Sequence, residues 1–173
     1  LSNSDYWTPP ELFEAMTAEV GGFDLDAAAS DENALSERWY TEDDDSLVQP
    51  WEGRVWCNPP YNKVRPWLVK ALNEVRAGRA ALVWMLIPSA TGTRVFREII
   101  WPWAAELRFV QGRLTFGGPH TQGKPGLQDS VLIRFGGEEA AERVVLCDME
   151  GRPLPRRPPS LYEFGEAPEG VAA

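Results

Sequence analysis

The sequence is poor in the residues that hold metals and disulfides. Its 173 residues include two cysteines, Cys57 and Cys147, and a single histidine, His120. These form no metal-ligand spacing and no disulfide framework, so no metal is expected, and a reducing compartment, the cytoplasm, is. No apolar run reaches the length of a membrane span, and the N-terminal stretch lacks a signal-peptide pattern. Positive charge is scarce too. Lysine and arginine total 17 against 26 acidic residues, a net charge of −9, which argues against nonspecific coating of nucleic acid. A G-x-G-x-x-G turn is missing, which disfavours a pyrophosphate-binding dinucleotide site.

What is present reads as one globular domain, residues 1–150, followed by a Pro-rich irregular tail, 151–173. Thr8-Pro9-Pro10-Glu11 has the form of a helix start, with Thr8 as N-cap and Glu11 completing a capping box. Leu12, Phe13, Met16 and Val20 share a face, and Gly21-Gly22 ends the helix. Phe23 to Ser30 reads as a short strand running into a small-residue turn. A second strand ends at Asn58, and a helix follows over Val64 to Val75. Ala80 to Ile87 is an unbroken apolar run, as a parallel strand buried on both faces requires. Thr91 or Thr93 caps a third helix. Glu106–Val110 and Val144–Cys147 are further strands, and Leu114–Phe116 with Val131–Phe135 form the arms of a hairpin around a long polar loop. This alternation predicts an α/β fold with a mainly parallel sheet and a C-terminal antiparallel hairpin. Ligands of such sheets bind at the carboxyl ends of strands. Asp24–Ser30, Asn58–Tyr61 and Pro88–Ser89 are therefore expected in one crevice.

Asn58-Pro59-Pro60-Tyr61 is the most informative stretch. Two prolines cannot continue a central strand, and each holds the preceding residue extended. The resulting stiff turn suits a flat molecule bearing an amino group. The Asn58 oxygen and the Pro59 carbonyl can accept its two hydrogens, and Tyr61 can stack on its ring. Taken alone, the stretch also reads as a structural turn. Asp24 or Asp26 could accept hydrogen bonds from ribose hydroxyls, or could cap the next segment. The acidic run Glu42 to Asp45 serves either a site or solvation.

In order along the chain, Trp7-Thr8-Pro9, Phe23-Asp24-Leu25-Asp26-Ala27-Ala28, Tyr40-Thr41-Glu42-Asp43-Asp44, Asn58-Pro59-Pro60-Tyr61 and Gly112-Arg113-Leu114-x-Phe116 resemble the phage-type DNA N-6-adenine methyltransferases (Dam-type), over roughly residues 5–135. The resemblance implies a Rossmann-like fold dependent on S-adenosylmethionine. It is shortened, because Asp26 and Asn58 lie too close in sequence for the usual intervening strands and helices. In that picture Asp24, Asp26 and Ala27 form the cofactor motif, Trp7, Thr8 and Pro9 lie by the methionine end, and Asp44 or Asp45 meets the cofactor's adenine. Asn58, Pro59, Pro60 and Tyr61 are the catalytic motif. Cys57 lies on the wrong side of that motif for a nucleophile and is expected as a buried strand residue. The target adenine is expected to be flipped out of duplex DNA and stacked on Tyr61.

Given the acidic total, DNA contact must come from a local surface. Lys63, Arg65, Arg94, Arg97, Arg113, His120 and Lys124 are candidates, the last two on the loop Gly117 to Asp129. Asn-Pro-Pro-Tyr is equally compatible with methylation of RNA or of a protein glutamine. A nucleoside-binding module without catalysis is a further alternative.

Overall fold

A computed structural model describes residues 6–119, 121 and 125–155. His120, Lys124 and the tail beyond residue 155 lie outside the described residues. The elements run α1 (Pro10–Val20), β1 (Leu25–Asp26), β2 (Gly53–Cys57), a 3-10 turn (Tyr61–Lys63), α2 (Val64–Arg76) and β3 (Ala80–Pro88). A π-helical turn (Phe96–Ile100) then leads into α3 (Trp101–Trp103), β4 (Glu106–Val110), β5 (Ser130–Gly136) and β6 (Val144–Cys147). Among the described residues, the six strands join one sheet in the order β1-β2-β3-β5-β4-β6. β1, β2 and β3 are mutually parallel, as are β4 and β6, and β5 runs antiparallel to both β3 and β4. The architecture is a mixed α/β sheet with few helices.

The sheet is buried on both sides, which is why β3 is continuously apolar. Its residues alternate between two cores. Val83, Met85 and Ile87 point to one face with Val55 and Cys57, and meet Leu68, Ala71, Phe96, Ile99 and Ile100 from the α2 and α3 side. Trp84 and Leu86 point to the other face with Trp56, and meet Leu12, Phe13 and Met16 of α1 together with Leu114 and Phe116. On this second face the sheet also holds charge. Glu106 ties Arg108 and Arg134 together, Arg108 reaches Glu19 on α1, and the Arg108 guanidinium lies 4.7 Å from the Trp84 ring centre.

Two local expectations are corrected. Leu114–Phe116 is not a hairpin arm. The antiparallel partner of β5 on that side is β4, with Leu107 opposite Ile133. Residues 114–116 leave the sheet because Leu114 and Phe116 are needed as a cover over the α1 face, where both are buried. Nor does Thr8 cap α1. The helix begins at Pro10, is flanked by Pro9 and has no side-chain cap. Neither proline offers an N–H, so the threonine hydroxyl is available elsewhere. Thr93 does cap, accepting the Phe96 N–H at 3.3 Å. Gly21 closes α1 in the left-handed conformation (φ 74°), as the Gly pair predicts. Residues 151–155 fold back along β6: the Leu154 N–H donates to the Leu146 carbonyl, and Gly151 is buried under Arg108.

Candidate active site

Asp26 stands opposite Trp56 in the parallel register, and Trp56 opposite Trp84. The last residue of β1 and the turn after β2 therefore open on the same end of the sheet. Residues 38–40 extend the rim, because Asp26 N–H donates to the Arg38 carbonyl and Tyr40 N–H to the Asp26 carbonyl. Trp51, fully buried, donates its indole N–H to the Ser46 carbonyl at 2.9 Å and so anchors the acidic loop. These pieces enclose a cleft of about 360 Å³, lined by Tyr6, Thr8, Asp26, Ala28, Ala29, Asn33, Leu35, Tyr40, Thr41, Glu42, Asp45, Ser46, Leu47, Asn58, Pro60, Asn62, Lys63 and Trp67. That size suits a small organic ligand.

Asn58 is held from one side only. Its Nδ2 donates to the Tyr6 carbonyl at 3.0 Å and to Thr8 Oγ1 at 3.2 Å. Its Oδ1 is buried and has no hydrogen-bond partner. A buried unpaired acceptor costs about 1–3 kcal/mol, so this oxygen is poised to accept a donor.

Asp26 is 3% exposed. It accepts the N–H groups of Ala28 and Leu35, both at 3.3 Å. Burial pushes its carboxyl from 3.8 up to about 6, against the lowering effect of those two bonds. Asp24 is not in the cleft. It sits beside the start of β2, where it accepts the Arg54 backbone and guanidinium N–H groups, and that hydrogen bonding holds its carboxyl below the usual range. Arg54 meanwhile donates to the Val20 and Gly21 carbonyls at the end of α1. Of the two aspartates left open by the sequence, Asp26 lines the cleft and Asp24 does not.

The same sorting applies to the acidic run. Asp45 and Glu42 line the cleft. Asp44 accepts the Thr41 N–H and hydroxyl, both at 2.8 Å, which lower its pKa and fix the local turn. Trp7, Pro9 and Ala27 do not line the cleft. Trp7 exchanges two backbone hydrogen bonds with Gly117, and Ala27 N–H donates to the Trp56 carbonyl. Pro88 and Ser89 are likewise outside it.

Tyr61 is not an open platform. Its ring stacks on Tyr6 (centroids 5.8 Å apart, planes at 17°) and meets Phe116 edge-on at 6.1 Å. Its hydroxyl is buried, and burial raises its pKa. Pro59 is buried and Pro60 borders the cleft. Cys57 is fully buried, and burial pushes its thiol well above the ordinary value, which leaves no thiolate for nucleophilic attack.

The described candidate DNA residues lie in three places. Lys63 is at the cleft mouth. Arg65, Arg94 and Arg97 all reach the single carboxylate of Glu98, at 3.2, 3.2 and 3.3 Å, which leaves this face cationic. Arg113 pairs with Asp129 at 3.6 Å, both well exposed.

Residues 1–134 match the family profile of DNA N-6-adenine-methyltransferase (Dam). The chain belongs to this family. Among family relatives, the DNA N-6-adenine-methyltransferase of Escherichia phage T1 is 33% identical over 114 residues, covering 64% of this chain and 47% of that protein. That of Haemophilus phage HP1 (strain HP1c1) is 31% identical over 76 residues, covering 42% of this chain and 44% of that protein. The matched stretches thus span less than half the length of these two phage proteins.

Tyr6, Asn33, Tyr40, Asn62 and Trp67 line the cleft without having been singled out in the sequence. Tyr40 opens one of the stretches that carried the resemblance. Tyr6 stands in an N-terminal lead-in with no pattern of its own, and only the fold brings it to Asn58.

Proposed function

We propose that the chain transfers a methyl group from S-adenosylmethionine to the N6 atom of adenine in double-stranded DNA, on a base turned out of the helix. The observation that carries this reading is Asn58: an amide with both hydrogens tied down and its oxygen buried without a partner. The sheet, parallel through β1, β2 and β3 with the cleft at their carboxyl ends, is read as a shortened Rossmann-like methyltransferase core filling residues 1–150. DNA of phage relatives is met in the bacterial host's cytoplasm.

The cleft's donor set fits S-adenosylmethionine. Asp26, Glu42 and Asp45 supply negative charge for a ligand bearing a sulfonium and an ammonium group, and Tyr40 and Trp67 supply flat surfaces for its adenine. When bound, this group supplies an electrophilic methyl. The chain's own residues do the rest. Asn58 Oδ1 accepts a hydrogen bond from the adenine N6–H, which draws the nitrogen lone pair out of conjugation with the ring. The Pro59 carbonyl is assigned the second amino hydrogen. Tyr6, backed by the stacked ring of Tyr61, walls the target base. Because the acceptor is fixed before reaction, its stabilisation requires no reorganisation. Arg65, Arg94, Arg97 and Lys63 are assigned to DNA phosphates.

The test is methyl transfer from labelled S-adenosylmethionine to unmethylated DNA, followed by nucleoside analysis. Wild type should yield N6-methyladenine. Asn58→Ala should lose transfer at least ~100-fold while still binding the cofactor. Label on RNA or protein alone, or unaltered turnover in Asn58→Ala, refutes the assignment.

A further inference from the structure

We propose that Thr8 is a positioning residue for Asn58, and that residues 6–8 are built to hold an amide, not a carboxylate, at position 58. This rests on the adenine-N6 reading above and names what orients its key acceptor.

A side-chain amide can be turned end for end, which exchanges its oxygen and nitrogen. The Tyr6 carbonyl forbids that here, and Thr8 adds a second hold. The Tyr6 carbonyl, 3.0 Å from Nδ2, has only lone pairs to offer. A reversed amide would set oxygen against oxygen. Thr8 Oγ1 is the second anchor. It accepts Asn58 Nδ2 at 3.2 Å and the Trp56 indole N–H at 3.4 Å. Trp56 is fully buried and Thr8 is 7% exposed, so this hydroxyl serves two donors shielded from water. With both Nδ2 hydrogens taken, Oδ1 is the one polar amide atom left without a partner.

The anchors are themselves fixed. Trp7 and Gly117 exchange two backbone hydrogen bonds at 3.0 and 3.1 Å, and the Tyr6 ring is held between Tyr61 and Phe116. Thr8 is β-branched and therefore stiff at its first side-chain torsion. The Thr-Pro-Pro sequence frees its hydroxyl from helix capping. A carboxylate at position 58 would meet the same Tyr6 carbonyl with an oxygen instead of a donor.

The experiment compares Thr8→Val, which keeps the shape and removes the oxygen, with Thr8→Ser, which keeps the oxygen. Steady-state transfer to DNA should show kcat lowered about 10- to 100-fold in Thr8→Val, with most of the loss in kcat rather than in KM for the cofactor. Thr8→Ser should recover most of that loss, and Asn58→Asp should be at least as impaired as Thr8→Val. A fall in KM-linked binding alone, a Thr8→Ser as poor as Thr8→Val, or an active Asn58→Asp overturns the proposal. A second readout needs no transfer activity. In ¹⁵N spectra the two Asn58 Nδ2 hydrogens, assigned by their loss in Asn58→Ala, should exchange with solvent much more slowly than those of exposed asparagines such as Asn62. Exchange in wild type as fast as at an exposed asparagine overturns the proposal even where Thr8→Val fails to fold. Wild type that makes no N6-methyladenine refutes the functional reading instead, and leaves the amide clamp to be judged by the spectra.

Discussion

Asp26→Asn is expected to raise the stability of the ligand-free protein at neutral pH while destroying its hold on the cofactor. The Asp26 carboxyl is 3% exposed, and burial moves its pKa from 3.8 to about 6. At about 1.4 kcal/mol per tenfold change in proton affinity, that is about 3 kcal/mol. The sign follows from which state releases its proton first. Below 3.8 both states are protonated, and nothing is lost. Between 3.8 and about 6 the unfolded chain ionises while the folded chain does not, so stability falls. Above that window the deficit is constant. Asparagine avoids it, but its one oxygen cannot serve both the Ala28 and Leu35 N–H groups. One lost bond costs about 1–1.5 kcal/mol. The net gain at about pH 8 is roughly 1.5–2 kcal/mol, or about 3–8 °C in melting temperature. At about pH 5 only about half of the ionisation deficit has developed, so wild type and variant should nearly coincide. Thermal unfolding of both proteins at the two pH values, without ligand, measures this. A difference that does not change with pH, or a variant less stable at about pH 8, would refute the reasoning. Adding S-adenosylmethionine should reverse the order, raising the melting temperature of wild type and leaving Asp26→Asn where it was.

Gly53→Ala should destabilise the fold by about 1–3 kcal/mol in urea unfolding, because φ is +75° and a Cβ there would lie 2.5 Å from Asp24 Oδ2. Stability within a few tenths of wild type would mean that Asp24 is not packed as described. The double variant Arg65→Gln/Arg94→Gln should weaken DNA binding and flatten its dependence on salt by about one to two contacts' worth of slope. An unchanged slope would remove this face from the DNA interface.

The fold was legible where one physical requirement dominated. Ala80–Ile87 had to be buried on both faces, and it is. Asn58-Pro59-Pro60 had to end its strand, and β2 ends at Cys57. The sequence was ambiguous where one residue type could meet several needs. Thr8 carried every mark of an N-cap, yet a helix starting on two prolines presents few N–H groups to cap, while a buried indole and an amide lay within reach. Asp24 and Asp26 looked interchangeable in Phe-Asp-Leu-Asp. Alternation along the strand puts them on the same side, so what separates them is position along the strand: one beside Arg54 at its start, the other at its cleft end. Tyr6 was invisible for a different reason. A backbone carbonyl can be supplied by any residue, so its contribution to Asn58 leaves no mark in residue type.

The distribution of charge constrains how a polymer could reach Asn58. Asp26, Glu42 and Asp45 line the cleft, and among the described lining residues Lys63 alone is basic. The arginine cluster lies elsewhere, around Glu98 where α2 begins beside the π-helical turn. A cationic small ligand is favoured in such a cleft, and a phosphodiester is repelled from it. On the proposed reading, a target nucleotide must therefore present its base to Asn58 with its backbone left outside, near the arginines. Duplex DNA can do this only by unstacking the base. Two groups that make the empty fold less stable wait at neighbouring strand ends. The Asn58 oxygen lacks a donor, and the Asp26 carboxyl is desolvated. An amino group satisfies the first and a cation relieves the second, so the two ligands of the proposed reaction are also the two that offset what the site costs the fold.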